Sequence, residues 1–484
     1  MNAPDTKIHP SGLIATIGLS TAVMIVMGNV IGSGVFKKAA PMAADLGSPG
    51  LLLLCWIIAG AVTLTGALAI AEVAGIIASP GGLYTYFREV YGRFFGFMYG
   101  WMGFVVIQCA SIASIGYVFG QSANSMFEFP RLGAEWEALS IGGIFYPLDN
   151  LGVKAFTIST LALITAANYF GVKYGGLIAN ISMAFKLGGL LLVTVLGLAW
   201  SGGSVSNFSP FLEAPGKEYA SSMGLFGAMF GALLGAFWAY DGWVNITFLG
   251  AETQNPKRNI PLALGFGVLG VIILYTMTNL AYLHVMPVEK LAALTQSDNS
   301  IAGVEVMRSA YGNAAATCVA VLILFSTFGA TNASVLLPAR MYFTMARDGL
   351  FFERAATCHP KYNTPSTSLV MQCVWASVLV MSGSFDQLTD MVVFASFISY
   401  GAGAFAVFRL RKTRPDAKRA YRVHGYPVLP ALFVAFCALL VIVTIFERPR
   451  DAGIGLALIL SGIPFYLHWN SKPPAASSGK DMIE

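Results

Sequence analysis

Five stretches of this chain carry no charged residue at all: Leu51–Ala71, Leu262–Leu283, Ala314–Ala339, Met391–Phe408 and Val428–Phe446. Coiled into a helix, each is long enough to cross ~30 Å of hydrocarbon. Water is absent at that depth, so every backbone N–H and C=O must be satisfied within the protein, and apolar runs of this length fold as helices. Only 11% of the 484 residues are charged, against about 25% in a soluble domain. The chain reads as an all-α polytopic membrane protein whose surroundings are the lipid bilayer.

Twelve spans fit the pattern, at roughly 13–42, 50–78, 94–124, 154–171, 174–200, 222–250, 260–285, 314–341, 366–384, 388–409, 427–446 and 452–470. The first is too long for a signal-peptide core and has no small-residue cleavage site. Lysine and arginine set the orientation. The segment Arg409–Arg422 alone holds seven, whereas the long loops 125–153 and 286–312 are mixed or acidic. This bias places both termini in the cytoplasm of a multi-pass inner-membrane protein. The net charge of +5 follows from it and gives no reason to invoke nucleic acid. The six cysteines are scattered, five in apolar runs and Cys358 in a basic loop. They read as reduced thiols, without a disulfide framework or metal-ligand spacing.

The first span carries Gly28-Asn29-Val30-Ile31-Gly32-Ser33-Gly34 in its middle. The sixth is interrupted in a similar way at Trp238-Ala239-Tyr240-Asp241-Gly242-Trp243. Unwound backbone at bilayer depth is tolerated only where it lines a cavity or is buried in protein. Two broken helices at matching places in two halves of a chain point to the binding site of a transporter. The halves would then be an inverted 5+5 repeat, spans one to five (13–200) and six to ten (222–410), with two further spans at 427–470. Residues 1–12 form a cytoplasmic N-terminus, and the Pro/Ser/Ala-rich tail 471–484 is expected to be disordered. The loop through Ser79 and Pro80 leads into a short amphipathic helix at Leu83–Tyr91.

Backbone N–H groups of Gly32, Ser33 and Gly34, with the Ser33 hydroxyl, would face a carboxylate at the start of the outer half-helix. The carbonyls of Val30 and Ile31 would accept from an ammonium group. An amino acid zwitterion carries both charges. The alternative, a Gly28/Gly32 packing face in an intact helix, does not account for the second break. There, Trp238, Ala239, Asp241 and Gly242 would lie around the same point, with Trp238 either closing over a ligand or filling space. Asp241 is an intramembrane acid, costing roughly 2.5–3.5 kcal/mol to insert and by default functional. It could attract a cationic group, carry a proton, or cap the broken helix through local N–H groups. Gly227, Gly231 and Gly235 form a stripe that would let the sixth span approach its neighbours closely.

Lys186 lies ~18 Å from either end of its span, too far to snorkel to the surface. With Ala179, Ser182 and Gly189 on its face, it would reach the first break and hold freed carbonyls as a cation. Glu72 should pair with basic loop residues. Gln108, Ser111, Ser326, Thr327, Thr331 and Asn332 could line the cavity or make interhelical bonds. His284, His359, His424 and His468 have neither ligand nor triad spacing. The sequence has no phosphate loop and no nucleophile elbow, so neither a nucleotide-driven pump, an enzyme nor a bound cofactor is indicated.

Gly28–Phe36 resembles the first-helix motif of the amino acid–polyamine–organocation (APC) superfamily. Ala71-Glu72, Gly82–Tyr86, Glu89–Gly92, Asn255–Pro261 and Phe328–Ser334 together resemble its L-type amino acid transporter branch, in a bacterial form. The resemblance covers residues ~13 to ~446. It implies the LeuT-like 5+5 fold with helices 1 and 6 unwound, and sodium-independent exchange of amino acids by alternating access. It puts the family's fifth-helix lysine on Lys186, its gating aromatic on Trp238 and its carboxylate-binding turn on Ile31–Gly34. Eukaryotic members tether a heavy chain through a cysteine after span three, but 125–153 contains none, so no disulfide-linked partner is expected. Trp238–Trp243 resembles the variant in carriers of both neutral and cationic amino acids. The expected activity is therefore obligate exchange of neutral amino acids, extending to cationic ones if Asp241 faces the cavity. A proton-coupled importer of the same fold is the main alternative, ahead of a transceptor or channel.

Overall fold

The computed structural model describes residues 16–77, 81–142, 145–171, 175–249, 252–297, 299–362, 364–419 and 421–471; the side chains of 172–182 and 248 lie outside that description. Ala179 and Ser182, expected beside Lys186, fall among these side chains, and Ser79, Pro80 and nearly all of both terminal segments fall outside as well. Among the described residues every regular element is helical, and the only β pairings are isolated bridges, Ile17–Thr253 and Ile141–Phe145.

Among the described residues ten helices are long and apolar enough to cross a membrane: Leu19–Lys37, Pro49–Ile76, Arg93–Asn124, Leu151–Tyr169, Leu225–Thr247, Pro256–Val285, Asn313–Arg347, Phe385–Thr413, Val428–Glu447 and Pro449–Asn470. Two shorter apolar helices, Met183–Ala199 and Ser366–Ser382, stand where the fifth and ninth spans are expected. Local chemistry sets several boundaries. Ser48 caps the second helix by accepting from Leu51 N at 3.3 Å, with Pro49 in its first turn. Ser384 and Gln387 form a reciprocal capping box at the start of Phe385–Thr413. The short helix Leu83–Tyr91 is present as expected.

Both interruptions are real but narrower than the sequence suggests. Gly28, Asn29 and Val30 stay helical, and the first break is Ile31–Ser33, before the chain resumes at Gly34–Lys37 and Ala39–Leu46. Trp238, Ala239 and Tyr240 likewise belong to Leu225–Tyr240. Only Asp241 and Gly242 are unwound, and a 3-10 helix follows at Trp243–Leu249. A third irregularity comes after Gly96 and Gly100 and begins at Gly103. The third span changes to π-helix over Gly103–Gln108, a device frequent at functional sites.

Ion pairs tie the two ends of the bundle. At one end the buried Glu72 carboxylate accepts from Arg411 at 2.9 and 2.7 Å and from Val423 N at 2.8 Å, with Arg419 at 3.3 Å. This is the basic pairing expected of Glu72. At the same end Ile17 pairs with Thr253 across the feet of the two broken helices, with Ile17 N 3.0 Å from Glu252 O and Gln254 N 2.9 Å from Ile17 O. At the other end Lys38 Nζ meets Asp386 Oδ1 at 2.5 Å and Thr389 Oγ1 at 2.7 Å.

Candidate functional site

The two breaks pack against each other. A Cβ added to Gly34 would lie 2.5 Å from Ala239 Cα, and one added to Gly242 would lie 2.6 Å from Asn29 O. Gly242 also has φ +97°, which side chains rarely tolerate. A phenol bridges the pair: Tyr275 OH lies 3.0 Å from both Val30 O and Ala239 O. Its single proton is shared between the end of one half-helix and the last turn of the other. The Tyr275 ring is held by Trp56 at 5.5 Å and Tyr240 at 5.1 Å.

Around this junction lies a narrow central cavity of about 60 Å³. Val30, Gly32, Ser33 and Gly34 line it from the first break, and Trp238, Ala239, Asp241 and Gly242 from the second. Ile31 is fully buried and is not on the wall. No backbone carbonyl among the described residues takes the N–H of Ser33 or Gly34, and the buried Ser33 hydroxyl and Asn29 side-chain amide have no partner. Unpaired buried donors are costly, and here they converge on one wall, as an anion site requires. The carbonyl expected to receive an ammonium at Val30 is already shared with Tyr275.

Lys186 and Asp241 are the charged side chains on the wall. Lys186 Nζ donates to Gly28 O at 2.6 Å, a carbonyl one turn before the break that has lost its helical partner. Asp241 Oδ1 accepts from Tyr400 OH at 2.5 Å, and the Tyr400 ring packs on Trp243 at 4.9 Å. Trp243 and Tyr240 are thus packed away from the cavity, whereas Trp238 lines it and meets Phe385 edge-on at 6.3 Å.

Gln108 and Ser111 reach the cavity, carried there with Ile107 by the π-helical turn. Ser326, Thr327, Thr331 and Asn332 of the eighth span do not. Thr327 and Thr331 bond back to Ile323 O and Thr327 O at 2.8 Å, and Asn332 accepts from Asn168 at 2.7 Å. The face turned to the cavity is Ala330, Ala333, Ser334 and Leu337. Ser and Thr in a membrane helix commonly satisfy themselves on the preceding turn, so polarity alone does not mark the cavity face. Tyr99, Asn245, Tyr275 and Tyr400 were not anticipated. Each lies in a largely apolar run, and a tyrosine there is a weak signal because tyrosines are frequent at membrane interfaces. The described residues contain no cluster of His, Cys, Asp and Glu able to hold a metal, and the six cysteines are unpaired.

The comparison with known proteins agrees with this geometry. The amino acid permease family profile matches residues 17–467. The serine/threonine exchanger SteT of Bacillus subtilis is 32% identical over 458 residues, covering 94% of this chain and 97% of its own. The human large neutral amino acids transporter small subunit 2 is 28% identical over 475 residues, covering 97% and 83%. The mouse b(0,+)-type amino acid transporter 1 is 26% identical over 469 residues, covering 96% and 89%. With the match running through both broken helices and nearly the whole bundle, the chain belongs to the amino acid permease family.

Proposed function

We propose that this protein exchanges neutral amino acids across the cell membrane by alternating access, without sodium. It has twelve spans in an inverted 5+5 arrangement, both termini are cytoplasmic, and no heavy chain is needed. The substrate carboxylate docks on the N–H groups of Gly32–Gly34 and the Ser33 hydroxyl. Its ammonium meets the remaining lone pair of the Val30 carbonyl, and Trp238 closes over it. The observation that carries sodium independence is the 2.6 Å bond from Lys186 Nζ to Gly28 O. A fixed ammonium there satisfies a freed carbonyl that would otherwise invite a metal cation. Exchange rather than net flux is supported by relatives such as the serine/threonine exchanger.

Counterflow in liposomes tests the proposal. Uptake of labelled amino acid should require unlabelled amino acid inside and ignore sodium. A second reading, proton-coupled import, is favoured by one observation: Asp241 sits on the cavity wall with a neutral phenol as its hydrogen-bond partner. Uptake driven by a pH gradient into liposomes empty of amino acid would select it.

A further inference from the structure

Gly227, Gly231 and Gly235 lie against side chains of neighbouring segments, Lys38, Met42 and Asp45 among them. A Cβ at Gly227 would meet the Ser221 hydroxyl and, at 2.9 Å, the Glu447 carboxylate. At Gly231 it would lie 3.3 Å from Asp45 Oδ2 and 3.8 Å from an Arg448 terminal nitrogen, and at Gly235 3.4 Å from Lys38 Cδ. Most of the side chains lying over the stripe are ionic, with Met42 the apolar exception at Gly235. Over its first two glycines lies a second, partly open cavity of about 450 Å³, whose charged lining is Asp45, Lys217, Glu218, Glu447 and Arg448.

Asp45 stands out within this cavity, because Glu218 lies exposed at its edge while Asp45 is half-buried. Glu447 is occupied by Ser222 Oγ at 2.9 Å and Met223 N at 3.3 Å, and Lys217 donates to Ala44 O. Arg448 leans toward Asp390 at 3.5 Å. Asp45 has no hydrogen bond or ion pair among the described residues. It also sits in the last turn of Ala39–Leu46, where the helix dipole disfavours an anion and attracts a cation. A free carboxylate beside Arg448 and Lys217 therefore offers, across one small space, a place for an ammonium and a place for a carboxylate.

The cavity is also aligned with the central site. From Gly231 to Ala239 is ~12 Å of helix. Between them stands Lys38, anchored to Asp386, with its ammonium 4.7 Å over the Phe385 ring. Phe385 in turn abuts Trp238. One glycine stripe thus runs from the outer cavity to a plug of Lys38, Phe385 and Trp238, and the central cavity begins on the other side of that plug.

We propose that the Asp45–Arg448 cavity is a waiting site for an amino acid zwitterion, used before the Lys38–Asp386 latch opens and the substrate slides along the stripe to the central cavity. The assignment rests on the exchange reading above. Side-resolved counterflow of radiolabelled L-serine in oriented proteoliposomes tests it, with Asp45→Asn and Gly231→Leu as variants. Asp45→Asn should raise KM for serine at the Asp45 face by about three- to tenfold, the worth of one partly exposed hydrogen-bonded contact, and leave KM at the opposite face unchanged. Gly231→Leu, which fills the cavity, should act in the same one-sided way. Should Gly231→Leu not reach the membrane, Asp45→Asn decides alone. An unchanged KM at that face, or an equal rise at both faces, overturns the waiting site. Absence of counterflow in the unmodified protein would instead overturn the exchange reading.

Discussion

Gly34 and Ala239 touch backbone to backbone: a single carbon added to Gly34 would come within 2.5 Å of the Ala239 Cα. Two helices broken for the same purpose thus meet at the point where both change direction. The free N–H groups of the first break are consequently presented beside Trp238 and Asp241 rather than across a wide channel. Gly34→Ala forces these helices apart, and overpacking of this kind costs about 1–3 kcal/mol. Counterflow should fall at least about tenfold while the protein still elutes as a folded species in detergent. Normal exchange by Gly34→Ala would mean that the contact does not shape the site.

Lys186 carries the second prediction. Truncation to alanine strips Gly28 O of its 2.6 Å donor. A hydrogen bond to a charged group contributes about 1.5–3 kcal/mol, so Lys186→Ala should lower the exchange rate by about ten- to a hundredfold. Arginine should not restore it, because a planar guanidinium does not occupy the space of an ammonium. Rates measured in sodium and in choline buffers should coincide for the unmodified protein.

The bundle was readable in the sequence because bilayer physics leaves so few options. Uncharged runs, basic loops and the glycines at Gly28–Gly34 predict spans and a break directly. The site was readable where its chemistry is backbone chemistry. Ser33 and Gly34 could be named because only an unwound turn needs such residues at bilayer depth. Lys186 could be named because no long-chain cation lies mid-membrane without a carbonyl or carboxylate to meet. Tyr275 and Tyr400 could not, since which phenol bridges two breaks depends on the packing of helices far apart in sequence. Ala330 and Ala333 escaped for a related reason: the cavity face of Asn313–Arg347 is mostly apolar, with Ser334 its one hydroxyl, and the threonines of the helix are spent on their own carbonyls. The glycine stripe was visible as a stripe, but the charges lying over it come from other segments.

Asp241 and Tyr400 make the third prediction. With Asp241 ionised, its carboxylate favours cationic substrates, and Tyr400 holds it in place through a 2.5 Å bond. Asp241→Asn should then reduce lysine or arginine uptake more than alanine or leucine uptake. Tyr400→Phe should change the same ratio with a smaller effect on neutral exchange. Asparagine caps a helix about as well as aspartate, so a purely structural Asp241 would leave the ratio constant. Competition by cationic and neutral amino acids against one labelled substrate measures it.

Stability depends on the other end of the bundle. Glu72 is fully buried and receives Arg411, Arg419 and the Val423 N–H. Glu72→Gln leaves Arg419, itself nearly buried, without a counter-charge. Breaking a buried pair from one side costs about 3–5 kcal/mol. Thermal unfolding in detergent should shift down by several degrees or more, and the folded yield should drop. Replacing the exposed partner of the Arg414–Glu89 pair, spaced at 3.3 Å, should do almost nothing, since surface pairs contribute about 0–1 kcal/mol.

The last prediction concerns acidity at the waiting site. Burial pushes the Asp45 carboxyl up to about 6, with Arg448 and Lys217 opposing the rise, Asp386 adding to it and Lys38 lowering it. Glu447, on the same wall, is held by Ser222 Oγ and Met223 N. Above pH 6 Asp45 is therefore charged and attracts an incoming ammonium; as pH falls through 6 it takes a proton and the attraction is lost. KM for L-serine at the Asp45 face should rise as pH drops from about 7.5 to 5, while KM at the opposite face changes less. In Asp45→Asn the one-sided rise should vanish, because the titrating group is gone. A one-sided rise that persists in Asp45→Asn would place the titration on another group.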